Sequence, residues 1–88
     1  MLQLPSTLTH DQALACLRDL SQALATVPSP AILDAAALTS FDSSALAVLL
    51  ELQRAGARLN KKVVVQGLSE RLLALATLYG VEALLGGA

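Results

Sequence analysis

The chain has 88 residues, of which 55% are hydrophobic and only 2% aromatic, and its formal net charge at pH 7 is −1. This length fits one small domain spanning 1–88, and a core with so few aromatic rings must be built from Leu, Ala and Val. The slightly negative charge and the scarcity of rings argue against nucleic acid as a partner, because its binding requires a basic, ring-bearing surface.

Three features of the sequence bear on the cellular compartment. The single cysteine, Cys16, cannot form an internal disulfide, which fits a reducing compartment. The N-terminus lacks a basic region and Pro5 interrupts any apolar run, so no signal peptide is expected. The long uncharged stretch 20–32 contains Pro28 and Pro30 and cannot span a bilayer. We therefore predict a soluble, cytoplasmic domain that does not insert into the membrane.

The first third of the chain predicts a short edge strand and an amphipathic helix. Residues Met1–Leu4 alternate weakly and stop at Pro5, which is typical of a sheet edge. Thr9 and Gln12 have the spacing of a capping box at the start of a helix. An apolar stripe at helical spacing follows, consisting of Ala13, Leu17, Leu20, Leu24 and Val27. The two prolines that come next end this helix.

The middle of the chain predicts a strand, a helix and a second strand. Ala31–Ala36 is short and mostly apolar, which favours a central strand buried on both faces. A helix follows from about Ser43 to Gly56 and contains an unbroken apolar run at Ala45–Leu50. Val63–Val65 is β-branched throughout and predicts a strand that ends in a turn at Gln66–Gly67.

A third helix is predicted after Ser69, a typical N-cap residue. Its core face consists of Leu72, Leu75, Ala76 and Tyr79. Gly80 is the expected left-handed terminator, and Val81–Leu85 is expected to add a short strand or turn. This alternation predicts an α/β fold, an open sheet of three to four strands with about three helices packed mainly on one face.

The start of the second helix is the candidate functional site. Asp42, Ser43 or Ser44 could each supply the oxygen that caps the helix, and the positive end of the helix dipole would tolerate an added phosphate. A helix lying on a sheet buries about half its circumference, so we expect Leu46, Leu50 or both to be exposed. Polar residues beside an apolar patch favour a regulated protein–protein contact formed by these five residues.

The other reactive side chains favour structural roles. His10 has only its neighbour Asp11 at ligand distance, so a metal site is not expected. Cys16 lies beside the apolar stripe and is expected in the core, and Tyr79 is expected to be buried with its hydroxyl at the surface. The chain contains no Gly-rich phosphate loop and no nucleophile–base pair on one face, so we predict a protein that is not an enzyme and has no metal or cofactor.

The segment Asp42–Leu50 resembles the STAS domain, the fold shared by bacterial anti-sigma factor antagonists and by the tails of anion transporters. In that family an Asp-Ser/Thr dipeptide ends the loop after the central strand and starts a helix. Val63–Ser69 together with Leu75–Tyr79 is similar to the small STAS subunits, called MlaB-like, of Mla-type phospholipid ABC transporters. The resemblance covers about 2–85, nearly the whole chain.

This resemblance implies a cytoplasmic accessory subunit, peripheral to the inner membrane, that binds and stabilises or activates a transporter ATPase through the Asp42–Leu50 surface. Ser43 matches the family's phosphorylatable or partner-critical hydroxyl, and Asp42 matches the acidic residue before it. The alternative is an anti-sigma factor antagonist that binds a kinase-type anti-sigma factor and is released when Ser43 is phosphorylated. A third class is a homodimeric or scaffold domain that uses a bare sheet edge.

The chain departs from the family pattern in two places. STAS domains usually begin with a hairpin, and the N-terminal residues leave room for only its second strand, so one sheet edge is expected to be bare. Ala45 stands where the family commonly has glycine. Because alanine is the better helix former, the start of the second helix should be firmer.

Overall fold

The computed structural model describes residues 2–81, and in them the chain forms five short strands and three helices. In chain order they are β1 (Leu2–Gln3), β2 (Thr7–Leu8), α1 (His10–Leu24), β3 (Ala31–Asp34), β4 (Ser40–Phe41), α2 (Ser43–Arg58), β5 (Val63–Gln66) and α3 (Glu70–Leu78). The predicted α/β class is confirmed. Of the strand or turn predicted at Val81–Leu85, all but the first residue lies outside the described residues.

β3 is the central strand of a parallel three-stranded sheet with the order β1-β3-β5. Leu33 lies opposite Leu2 in one neighbouring strand and Val65 in the other. Parallel neighbours require crossover connections, which α1 supplies between β1 and β3 and α2 supplies between β3 and β5. The prediction that the N-terminal residues form an edge strand is therefore confirmed.

The two faces of this sheet are covered unequally. Ala31 and Leu33 are buried, whereas Ile32 between them is half-buried beside Val64 of β5. The helices pack over the face that carries Ala31 and Leu33. The opposite face, which carries Ile32 and Val64, remains partly open. The expectation that Ala31–Ala36 is buried on both faces was wrong, because a run of four strand residues is too short to separate the two cases by periodicity.

A second, two-stranded parallel sheet pairs β2 with β4, and the sequence did not predict it. Thr7 lies opposite Ser40 and Leu8 lies opposite Phe41. The backbone N–H groups of Thr39 and Ser40 both donate to the carbonyl of Ser6, at 2.9 and 3.0 Å. Strands of two residues carry no alternating pattern, so only the folded chain reveals this ladder. It holds the segment before α2 against the segment before α1.

The core beneath the helices is entirely aliphatic, and no polar or charged side chain is buried within residues 2–81. Its largest fully buried side chains are Leu8, Leu24, Leu33, Leu49, Leu52, Leu72 and Val65. The α1 stripe faces this core, with Leu24 fully buried and the other predicted members half-buried. The helix itself ends at Leu24, so Val27 packs on the core from the loop that follows.

The helix caps and the helix terminator that the sequence predicts are present in the structure. The backbone N–H of Thr9 donates to Oε1 of Gln12 at 3.0 Å, as in the predicted capping box. The hydroxyl of Ser69 accepts from the N–H of Leu72 at 3.1 Å, which confirms the predicted cap of α3. Gly80 has φ +70°, the left-handed conformation of a helix terminator.

Lys61 connects the ends of α1 and α2. Its ammonium group donates to the carbonyl oxygens of Leu24 at 2.7 Å and Val27 at 2.6 Å, at the C-terminal end of α1. Its own N–H donates to the carbonyl of Gly56 at 2.8 Å, which closes the last turn of α2. A positive charge at this position also compensates the negative end of the α1 dipole.

We expect Lys61→Met to lower the free energy of unfolding by about 1–2 kcal/mol, because two carbonyls lose a charged donor. Lys62→Met is the matched control, since the Lys62 side chain is exposed and only its backbone is hydrogen-bonded. Urea unfolding of both variants measures the difference. Equal stability of the two variants would contradict the capping role of Lys61.

Candidate partner-binding surface

The carboxylate of Asp42 caps two helices at once. Its Oδ1 accepts a hydrogen bond from the N–H of Ser44 in the first turn of α2, at 2.8 Å. Its Oδ2 accepts from the N–H of His10, the first residue of α1, at 3.1 Å. Among the three residues that could have capped α2, Asp42 therefore supplies the oxygen, and it caps α1 as well.

The β2–β4 ladder makes this shared cap possible. Leu8 lies opposite Phe41, so the next residues along each chain, Thr9 and Asp42, are the N-caps of adjacent helices. The two helices begin side by side and run in the same direction. Their positive dipole ends meet at one point, where a negative charge is favoured.

These hydrogen bonds lower the pKa of the Asp42 carboxyl. The largest contribution comes from the N–H of Ser44, followed by the N–H of His10, and both bonds favour the ionised form. The Ser44 hydroxyl and the His10 side chain act in the same direction. The exposed Asp42 carboxyl therefore stays ionised to a lower pH than an unpaired aspartate does.

Ser43 and Ser44 have different environments. Ser44 is half-buried and contributes its N–H to Asp42. Ser43 is exposed in the first turn of α2, and its hydroxyl makes no hydrogen bond within residues 2–81. Of the three residues that the sequence offered as the cap, Ser43 is therefore not the one used, and its hydroxyl is free to face a partner.

The exposed face of α2 is a continuous strip at helical spacing. It consists of Ser43, Ala47, Leu50, Glu51, Arg54, Ala57 and Arg58, of which Leu50 and Glu51 are half-buried. Leu46 does not belong to it, because only 3% of its surface is exposed. The sequence predicted that Leu46, Leu50 or both would be exposed; Leu50 is half-buried on this face, and Leu46 is buried because Tyr79 and Val81, which follow α3, lie beside it on that flank of α2.

Two shallow grooves follow the flanks of α2 and meet at Ala47. The groove on the α3 side has a volume of about 180 Å³ and is lined by Ser43, Leu46, Ala47, Leu50, Tyr79 and Val81. The groove on the α1 side, of about 260 Å³, is lined by His10, Ala13, Leu14, Leu17, Ser44, Ala47, Val48 and Glu51. Leu46 is thus buried but lines the groove on the α3 side.

Sequence reasoning missed two apolar residues at the rims of these grooves. Leu14 is 77% exposed beside the groove on the α1 side. Tyr79 is 56% exposed, so the expectation that it is buried was wrong. Leu14 is the leucine of α1 that does not fit the apolar stripe, and that departure was the available signal.

Phe41 and Arg71 hold α3 against the same region. The Arg71 guanidinium lies over the Phe41 ring, with its central carbon 5.3 Å from the ring centroid. Such a contact is a cation–π interaction. Phe41 is half-buried against the core and directly precedes Asp42, the shared cap. Its contact with Arg71 therefore links the first turn of α3 to the start of α2.

The two other reactive side chains considered in the sequence, those of His10 and Cys16, lie on α1. His10 is exposed, and Cys16 is half-buried on α1 and packs against the core. Burial, with the charge of Asp19 adding to it, raises the pKa of the Cys16 thiol. Within residues 2–81 no three His, Cys, Asp or Glu side chains are grouped so as to hold a metal ion, and none of the helices there is long and apolar enough to cross a membrane.

Comparison with family models identifies the family of the chain. The family model described as "Mlab, STAS domain" matches residues 1–86, which is nearly the whole chain. A search of curated proteins found no significant match. The matched residues include both capping segments and every element described above.

Acid unfolding tests the shared cap. Because the folded-state pKa of Asp42 lies below its unfolded value of about 3.9, its stabilising contribution is present above that pH and is lost as the pH falls through the folded pKa. Asn can accept one of the two hydrogen bonds and cannot titrate. We therefore expect Asp42→Asn to be less stable than the parent at pH 7 and to lose less further stability on acidification.

Asp11→Asn is the control, because Asp11 is an exposed carboxylate in the first turn of α1 with no hydrogen bond of its side chain in the described part of the chain. Urea unfolding of the parent and both variants from pH 7 to about pH 2.5 measures the slopes. The Asp11 variant should follow the parent. An Asp42→Asn variant with the parent's acid dependence would show that the double cap contributes nothing.

Proposed function

Because the chain belongs to the MlaB-like STAS domain family, we propose that it is a non-catalytic accessory subunit of an Mla-like phospholipid ABC transporter. STAS domains are generally regulatory or accessory domains without catalysis of their own. In this proposal the chain binds the ATPase subunit and stabilises or activates it. The chain is then cytoplasmic and peripheral to the inner membrane through that partner.

The observation that carries the proposal is the open, largely apolar surface around the start of α2. The free hydroxyl of Ser43 lies at one end of it, and Ala47 and Leu50 continue it along the helix. Leu14 and Tyr79 extend it on the two sides. Exposed apolar side chains that adjoin one another support a role in binding another protein.

The geometry favours Ser43 as a contact residue rather than a structural one. Asp42 already supplies the cap, so α2 does not need the Ser43 hydroxyl. A partner can therefore use this hydroxyl without competing with the fold. Asp42, in contrast, has both oxygens engaged, and it supports the surface chiefly by fixing where the two helices begin.

The exposure of Ser43 also supports the second candidate, an anti-sigma factor antagonist controlled by phosphorylation. A hydroxyl in the first turn of a helix is accessible to a kinase, and the helix dipole favours the added negative charge. Affinity capture from the native cell distinguishes the candidates. Co-purification of an ABC ATPase supports the transporter subunit, and co-purification of a kinase-type anti-sigma factor supports the alternative.

We expect Ser43→Asp to fold like the parent and to bind the ATPase more weakly by about 2 kcal/mol, roughly thirtyfold in Kd. An acidic residue in the first turn suits the helix dipole, so folding should not suffer. Beside Asp42, however, it places a second negative charge at the contact. A thermal melt and a titration with the purified ATPase measure the two effects separately.

Ser43→Ala is the matched control. Because the Ser43 hydroxyl makes no hydrogen bond in the described chain, this variant should retain the parent's stability and lose only a small part of the affinity. If Ser43→Asp binds the ATPase as tightly as Ser43→Ala does, Ser43 is not at the contact.

A further inference from the structure

Charge is segregated along the helix axes, although the chain as a whole is nearly neutral. Four of the six Lys and Arg residues lie between 54 and 62, around the C-terminal end of α2: Arg54, Arg58, Lys61 and Lys62. The opposite end, where β3 stops and the three helices begin, carries four acidic residues and one cation, Asp11, Asp34, Asp42, Glu70 and Arg71. The net charge of −1 conceals this separation.

The exposed face of α2 connects the two ends. Its N-terminal half, Ser43 to Leu50, is uncharged and mostly apolar, and its C-terminal half carries Arg54 and Arg58. With a rise of about 1.5 Å per residue, Ser43 and Arg58 are roughly 22 Å apart along one helix. A partner that lies along α2 therefore meets an apolar stretch and then a cationic one.

The two arginines differ in how far their charge is already compensated. Arg54 contacts the carboxylate of Glu51 one turn earlier, so part of its charge is neutralised within the chain. Arg58 is exposed and forms no ion pair within residues 2–81. Lys61, the nearest other cation on the chain, is committed to the carbonyls at the end of α1. Arg58 is thus the free cation on this face.

We propose that the ATPase surface that binds α2 carries one or more carboxylates about 20 Å from the residue that faces Ser43, and that Arg58 pairs with them. This inference rests on the proposed function and specifies the chemistry of its partner. Apolar contact at the N-terminal half supplies affinity, and the charge pair at the other half fixes the direction in which the partner lies along α2.

The experiment is a titration of the purified ATPase with the parent and three variants. Arg58→Glu reverses the charge on the exposed face. Arg58→Gln removes the charge without placing a carboxylate at the C-terminal end of a helix. Lys62→Glu is the control, because it makes the same change in net charge at the same end of the molecule, outside α2. Thermal melts verify that each variant is folded.

We expect Arg58→Glu to raise the Kd roughly tenfold or more, Arg58→Gln to raise it less, and Lys62→Glu to change it by less than about twofold. The effect of Arg58→Glu should shrink as salt is added. Equal effects of Arg58→Glu and Lys62→Glu, or no effect of either, would overturn the inference and leave the proposed function standing. A parent chain that does not bind the ATPase overturns both.

A second copy of the chain is the other occupant that the experiment can detect. If the parent self-associates in size-exclusion chromatography and Arg58→Glu abolishes that association, the exposed face of α2 belongs to a homodimer. That result would overturn the assignment of Arg58 to the ATPase.

Discussion

The fold depends on one carboxylate that satisfies two helices. Asp42 accepts from backbone N–H groups of both α1 and α2, 32 residues apart for the longer contact. Each helix leaves its first N–H groups without partners inside the helix. Leaving these groups without another acceptor costs free energy. Sharing one acceptor requires the helices to start side by side, as the β2–β4 ladder places them, and the two hydrogen bonds hold their first turns together.

The arrangement of charges around α1 follows from the same constraint. Since α1 has 15 residues and α2 has 16, helices that start together also end at about the same level. Lys61, just beyond the end of α2, can therefore reach the carbonyl of Leu24, the last residue of α1, and that of Val27 in the loop after it. Asp42 and Lys61 thus complement the α1 dipole at its two ends. The hydroxyl of Ser43, in contrast, makes no hydrogen bond in the described chain.

Local features could be predicted from the sequence, and features that depend on distant contacts could not. The Thr9 capping box and the Gly80 terminator each need only a few neighbouring residues, and both predictions are confirmed. The second acceptor role of Asp42 depends on a ladder of two-residue strands, which has no periodicity. The burial of Leu46 depends on Tyr79 and Val81, which are distant in sequence, so it cannot be inferred from the α2 sequence alone.

The parallel ladders also bear on how the chain folds. Each pairs residues separated by just over thirty positions, Leu2 with Leu33, Thr7 with Ser40 and Ala31 with Val63. No described strand pairs with another through a hairpin. Every pairing must therefore close a long loop before it forms stabilising contacts, which slows folding. During synthesis, β1, β2 and α1 leave the ribosome before any strand that can pair with them, and the apolar stripe of α1 stays uncovered until α2, which packs against α1, follows.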